Sequence, residues 1–305
     1  MAIAGGLRTA KKHTTASSRT LTNQAGMTIG IVTDSTCDLP PQVLKEQGIA
    51  VIPVLIHVGL QEYRDGIDLS REQFYKELPG RKPPPITAAP GHHAFRQTYE
   101  RLAAEGATEI LSIHISHKLS AVVDVARQAA QETKTVRVTV FDSRQLSLGT
   151  GFQVESAAEA MRAGRSMSEV LAQLEAQIAR THVFAALDTL EYMRRGGRMN
   201  GAITALGGLL QVKPILKMCE GDATAERVRT RAGAMKRLKE LLAKHAPFER
   251  VALVHTAAEA RAQALLEEVR GALPGGEIWM QEINPVLGAH IGPGVIGFAC
   301  ISVQK

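Results

Sequence analysis

At 305 residues the chain exceeds the usual size of a single domain, and 45% of it is hydrophobic, so two α/β lobes, each with a core of its own, are expected. Aromatics make up only 4%, which argues against a nucleic-acid surface built on base stacking. The net charge of +6 draws on Arg8, Lys11, Lys12 and Arg19 in an acid-free stretch, 1–26; setting those four aside leaves 32 basic against 30 acidic residues, a charge of +2 that argues against binding polyanions by bulk charge.

The 1–26 stretch is rich in Thr, Ser and Ala and has no apolar block, so it is expected to be a disordered tail, with Met27 the natural start and a basic transit-type segment the lesser alternative. No run approaches the ~18 apolar residues of a membrane span. Cys37, Cys219 and Cys300 are isolated and form no C-x-x-C pair, which points to a reducing cytoplasm and gives no sign of structural zinc.

From residue 28, T-I-G-I-V-T reads as a strand halted by Asp34-Ser35-Thr36, with a helix from Pro40-Pro41 to about Gln47 and a second strand over 49–55. A hairpin over 57–66 and a helix starting near Ser70 follow. The prolines of 81–90 forbid regular helix and place Thr87 on a stiff loop. Helices are expected over 92–104, 120–131 and 148–163, and strands over 109–114 and 136–141. Residues 164–168 are the candidate hinge.

Beyond the hinge, the pattern gives helix 167–180, strand 182–187, a short helix 189–195 ending at Gly196-Gly197, and strands 212–216 and 225–228. Helix 231–245, strand 251–255, helix 257–269 and strand 277–283 complete it, with 295–303 the closing strand. The expected architecture is α/β, as two three-layer α/β/α lobes with domains over 27–165 and 166–305. Ligands in such sheets sit beyond the carboxyl ends of strands, so Asp34-Ser35, Ser116 to Ser120 and Asp142-Ser143 should gather on one rim.

Asp34 and Asp142 each follow a strand and offer a magnesium-dependent phosphotransferase reading, although D-S-T-C-D lacks D-x-D spacing and both serve equally as caps. His114 and His117 lie where a strand enters a loop and make a poor metal pair, and no G-x-S-x-G surrounds any serine. No metal site is assigned. Ser120 opens a helix, where free amides and the dipole favour an anion. His290 sits in N-P-V-L-G-A-H-I-G-P-G-V-I-G, read as a stiff glycine-rich turn in which it is either a core histidine or a ligand to an anion. The arginines of 189–200 and Arg227, Arg229 and Arg231 form either a solvated basic face or a docking patch for an acidic or phosphate-bearing partner. I-T-A-L-G-G-L-L over 203–210 lines a tunnel or packs as a plain helical core.

Five blocks, I-V-T-D-S-T-C-D-L-P, T-A-A-P, I-H-I-S-H-K-L-S, L-E-Y-M-R-R-G-G-R and P-V-L-G-A-H-I-G-P-G-V-I-G, stand in an order that resembles DegV proteins over nearly the whole chain from Met27. The resemblance implies a protein that binds a long-chain fatty acid between two lobes and serves as the non-catalytic, lipid-carrying subunit of bacterial fatty-acid kinase. In that role a separate ATP-binding subunit phosphorylates the carboxylate, and no cofactor is held beyond the lipid. It further implies Thr87, Ser120 and His290 as carboxylate-binding residues and Arg198 and Arg229 as partner-docking residues. Ala88 and Ala121 depart from the Thr-Ser and Leu-Ser-Gly common in the family, which alters the expected headgroup geometry. A lipid-responsive regulatory module is the remaining alternative.

Overall fold

The computed structural model describes residues 21–22, 28–199 and 212–304. Most of the expected tail, Met27 and the 203–210 stretch lie outside the described residues. Within that tail, Leu21 and Thr22 form a strand, in place of the disorder expected there.

The first half runs β1 (Leu21–Thr22), β2 (Thr28–Asp34), α1 (Pro41–Gln47), β3 (Ala50–Ile52), β4 (Leu55–Val58), β5 (Gln61–Arg64), α2 (Arg71–Glu77), β6 (Ile86–Ala88), α3 (His92–Ala104), β7 (Glu109–His114), α4 (Val122–Glu132), β8 (Arg137–Asp142) and α5 (Leu148–Arg162). In its main sheet β7 and then β8 add parallel to one side of β2, while β3 pairs parallel with the end of β2 and β1 antiparallel with its start. The central strands β2 and β7 are covered on both faces, which is why they read as nearly continuous apolar runs. The strands β5, β4 and β6 form a separate antiparallel sheet. Thr87 therefore lies on an edge strand and not on a loop: the strand fits between Pro85 and Pro90, and an edge needs bonding on one side only.

The second half runs α6 (Met167–Ile178), β9 (Thr181–Ala186), α7 (Glu191–Arg195), β10 (Ile215–Cys219), β11 (Asp222–Glu226), α8 (Arg231–His245), β12 (Phe248–His255), α9 (Glu259–Val269), β13 (Trp279–Glu282), α10 (Pro285–Ile291) and β14 (Ile296–Ser302). Its sheet has the order β11-β10-β9-β14-β12-β13 and is antiparallel except between β12 and β13.

Helix α5 lies between the two large sheets, touching β2 and β7 on one side and β9, β12 and β14 on the other. Of its 15 residues, all but Glu159 and Arg162 are buried, so it has almost no wet face. A single apolar cluster runs from Ile31 and Leu111 through Phe152 and Met161 to Val254 and Ile301. Helices α3 and α4 cover the outer face of the first sheet, and α8 and α9 that of the second. The two α/β lobes thus each close an outer core of their own and in addition share their middle helical layer. Glycine permits this closeness: a Cβ on Gly149 would lie 2.7 Å from the Val183 side chain of the second half. The expected hinge is a turn with Gly164 left-handed and a capping box between Ser166 and Glu169.

Candidate functional site

His290 does not sit in a turn. Residues 285–291 are the helix α10, capped by the Asn284 side chain, which accepts the Leu287 N–H, with Pro285 at its first position. Gly292, at φ 77°, ends it. Gly288 inside the helix is there for contact, since a Cβ would come within 2.3 Å of the Tyr75 hydroxyl.

The helix delivers the imidazole to the edge strand of the other lobe, where His290 Nε2 and Thr87 Oγ1 are 2.8 Å apart. Nδ1 is buried with no hydrogen-bond partner among the described residues and backs onto Gly196, whose Cβ would lie 2.2 Å from it. Burial first, and then the positive charge of Arg198, pushes the His290 pKa down to about 4. The ring is neutral at pH 7. With no acceptor at Nδ1 among the described residues, its proton is assigned to Nε2, from which it donates to Thr87.

Thr87, Ser120, His290 and Arg198 all line a cavity of about 360 Å³ between the lobes, inside the ~300–1,000 Å³ range of small-molecule sites. Its walls are largely apolar, with Val54, Ile115 and Leu146 from the first half and Val183, Met218 and Val254 from the second. Much of the polar lining is already committed to carboxylates: Thr36 to Asp34, Ser147 to Asp38, Lys118 to Asp222 and Lys217 to Glu226. Among the described lining residues, Thr87, Ser120, His290 and Arg198 are the polar groups with no carboxylate partner. Ser120 precedes α4 and its Oγ accepts the Val122 N–H at 3.4 Å, a long bond that leaves the hydroxyl proton free. Arg198 is exposed and has no carboxylate partner among the described residues.

Arg229 is exposed between β11 and α8 and does not line the cavity. Much of the remaining basic face is neutralised: Arg194 and Arg195 pair with Glu191, and Arg231 with Asp188.

The strand ends do gather on one rim, but not as a metal site. Asp34 is fully buried, and its oxygens accept from Thr36 N–H and O–H, from Ile115 N–H and from His114 Nδ1 at 3.0 Å. Burial alone would raise its pKa; the bonds from His114, Thr36 and Ile115 prevail and lower it. Asp142 accepts from His117 Nδ1 at 2.5 Å and from the N–H of Arg144. β7 separates their strands, so roughly 10 Å lies between them. Each carboxylate is saturated by its own neighbours, which removes the geometric basis for a shared magnesium ion.

Sequence reasoning missed Asp38 and Ser147, and it gave Gly196 only as a helix end. Asp38 lay unremarked four residues after Asp34, and Ser147 opens S-L-G-T-G, where the glycines signalled a close approach.

The fold and site define a class, two-lobed α/β proteins with an apolar cavity between the lobes. Residues 28–303 match the family described as "Uncharacterised protein, DegV family". A DegV domain-containing protein of Deinococcus radiodurans is 38% identical over 277 residues, covering 90% of this chain and 98% of that one. A DegV family protein of Thermus thermophilus, solved in a study of its fatty-acid binding, superposes with a TM-score of 0.82 at 35% identity, covering 90% of this chain and 99% of its own. DegV of Bacillus subtilis, described as a fatty acid binding protein, gives 0.83 at 30%, covering 90% and 100%. This chain belongs to the DegV family.

Proposed function

We propose that the protein binds a long-chain fatty acid in the interlobe cavity, with its carboxylate held by Thr87, Ser120 and His290, and presents that carboxylate to a separate ATP-binding kinase subunit. The observation that carries this reading is the neutral His290–Thr87 pair on the wall of an otherwise apolar cavity. With the imidazole proton donated to Thr87, the threonine hydroxyl turns its own proton to the carboxylate. Burying about fifteen methylenes contributes roughly 12 kcal/mol gross at ~0.8 kcal/mol each, enough to outweigh ordering costs. A buried carboxylate is costly unless donors converge on it, and two hydroxyls with an imidazole behind one of them meet that need. The fatty-acid binding ascribed to the Thermus and Bacillus proteins supports the ligand class.

The kinase partnership rests on the resemblance of the five sequence blocks, with Arg198 and Arg229 facing the partner and no catalysis by this chain alone. The test is reconstitution. Lipid-loaded protein, ATP-magnesium and a fatty-acid kinase ATP-binding subunit should together yield acyl phosphate, and neither protein alone should do so. Acyl phosphate from this chain alone would return the phosphotransferase reading, and none with a competent kinase would favour a lipid-responsive regulator. Mass spectrometry of co-purifying lipid checks the ligand independently.

A further inference from the structure

Helix α10 belongs to the second half of the chain, yet it is held from the first. Asp38, in the turn after β2, accepts the Asn284 backbone N–H at 2.9 Å on one oxygen and the Asn284 side-chain amide at 3.1 Å on the other. That second oxygen also accepts the Ser147 hydroxyl at 2.6 Å, and the Arg71 guanidinium lies 3.1 Å from the first. Asn284 passes the connection on, because its side-chain oxygen accepts the Leu287 N–H at 2.9 Å within the first turn of α10. Tyr75 adds a hydroxyl bond to the Ile283 carbonyl at 2.8 Å, and Val286 and Ala289 are buried in the first lobe's core.

This node is held in costly conformations. Asp38 has φ 55°, and Ser147 combines φ 49° with ψ −141°, backbone that non-glycine residues keep only where surrounding structure enforces it. Asp38, Ser147 and Asn284 are each no more than 1% exposed. A seven-residue helix does not set its own direction, so its ends decide where it points. From Asn284 to His290 the axis rises about 9 Å, so a small tilt at the start carries Nε2 out of hydrogen-bond range of Thr87.

We propose that Asp38 is a positioning residue for the carboxylate clamp: by fixing the start of α10 from the opposite lobe, it sets where the His290 imidazole meets Thr87. This rests on the fatty-acid reading of the cavity.

The experiment uses the full chain, stripped of lipid, with palmitate and hexadecanol as probes that share an alkyl chain and differ in headgroup. Wild type should prefer the acid. Asp38→Asn should weaken palmitate binding about tenfold and hexadecanol binding less than about threefold. The exchange variant Asp38→Asn/Asn284→Asp rebuilds an amide–carboxylate pair with the partners swapped, and should bring palmitate back to within about threefold of wild type. Equal losses for acid and alcohol, or no recovery in the exchange variant, would overturn the proposal and leave Asp38 a purely structural residue. Should Asp38→Asn fail to fold, Asn284→Gly removes the bridge with a milder effect on the cap, and it must show the same acid-selective loss or the proposal fails. A wild type that binds acid and alcohol equally would instead refute the clamp itself, a result distinct from any behaviour of the variants.

Discussion

His290 illustrates how burial converts a common side chain into a specific one. The imidazole was legible in the sequence as a candidate because it stands among glycines. Its tautomer was not, since that depends on Gly196 from a segment about ninety residues away, which lies against Nδ1 and offers it no acceptor among the described residues. Other buried groups make stability depend on pH, and two oppose each other. Burial first, and then the charges of His245 and Lys244, pushes the His182 pKa down to about 4. The unfolded chain therefore takes up this proton first, and the stability from neutral His182 is complete above about pH 6.5 and lost as pH falls toward 4. Burial raises Asp65 to about 7, so its contribution is complete below the ordinary aspartate value and is lost as pH rises through 7. Asp65→Asn removes the opposing contribution. The urea midpoint of that variant should climb more steeply than wild type between pH 5 and pH 7.5, and parallel curves would show that Asp65 does not titrate in this window.

Among the elements, α7 and α10 meet through glycine. Gly196 backs the His290 ring, and a Cβ on Gly292 would lie 2.2 Å from the Tyr192 ring. Gly196→Ala should therefore displace the imidazole, reducing retained fatty acid several-fold, at a stability cost of about 1–3 kcal/mol from overpacking. Lipid quantified per mole of protein, beside a thermal melt, checks this; full occupancy would mean that Thr87 and Ser120 hold the headgroup unaided. The same glycines explain the main misreading of the sequence. N-P-V-L-G-A-H-I-G has the density of a turn, but Asn284-Pro285 is a helix start and Gly292 a helix end, with Gly288 admitting Tyr75 between them. Thr87 differs from the loop position expected for a related reason, because a proline run ends immediately before the strand that carries it. The parallel strands were read well, since burial on both faces leaves an uninterrupted apolar signature.

At the scale of the molecule, the share of α5 between two sheets decides how the protein comes apart. We propose that the 27–165 and 166–305 segments are lobes of chain and of ligand contact, but one cluster from Ile31 to Ile301 ties them energetically. Calorimetry should show a single unfolding transition, with residues 27–165 alone failing to give a cooperative melt; two resolved transitions in the full chain would contradict the shared layer. Two-lobed α/β organisation was legible from the alternation of elements. The shared layer was not, because α5 reads as one more helix, and only its nearly all-round burial shows that it has two sheets to serve.

The order of synthesis bears on how the shared layer forms. β14 comes last in chain order among the described residues, yet it lies inside the second sheet, between β9 and β12. Until the closing residues leave the ribosome, that sheet is split and the far side of α5 has nothing complete to rest on. The first half must therefore wait with an apolar helix partly bare, a state open to misassembly. Loss of Ile296–Ser302 would delete the middle of a sheet and not a fringe.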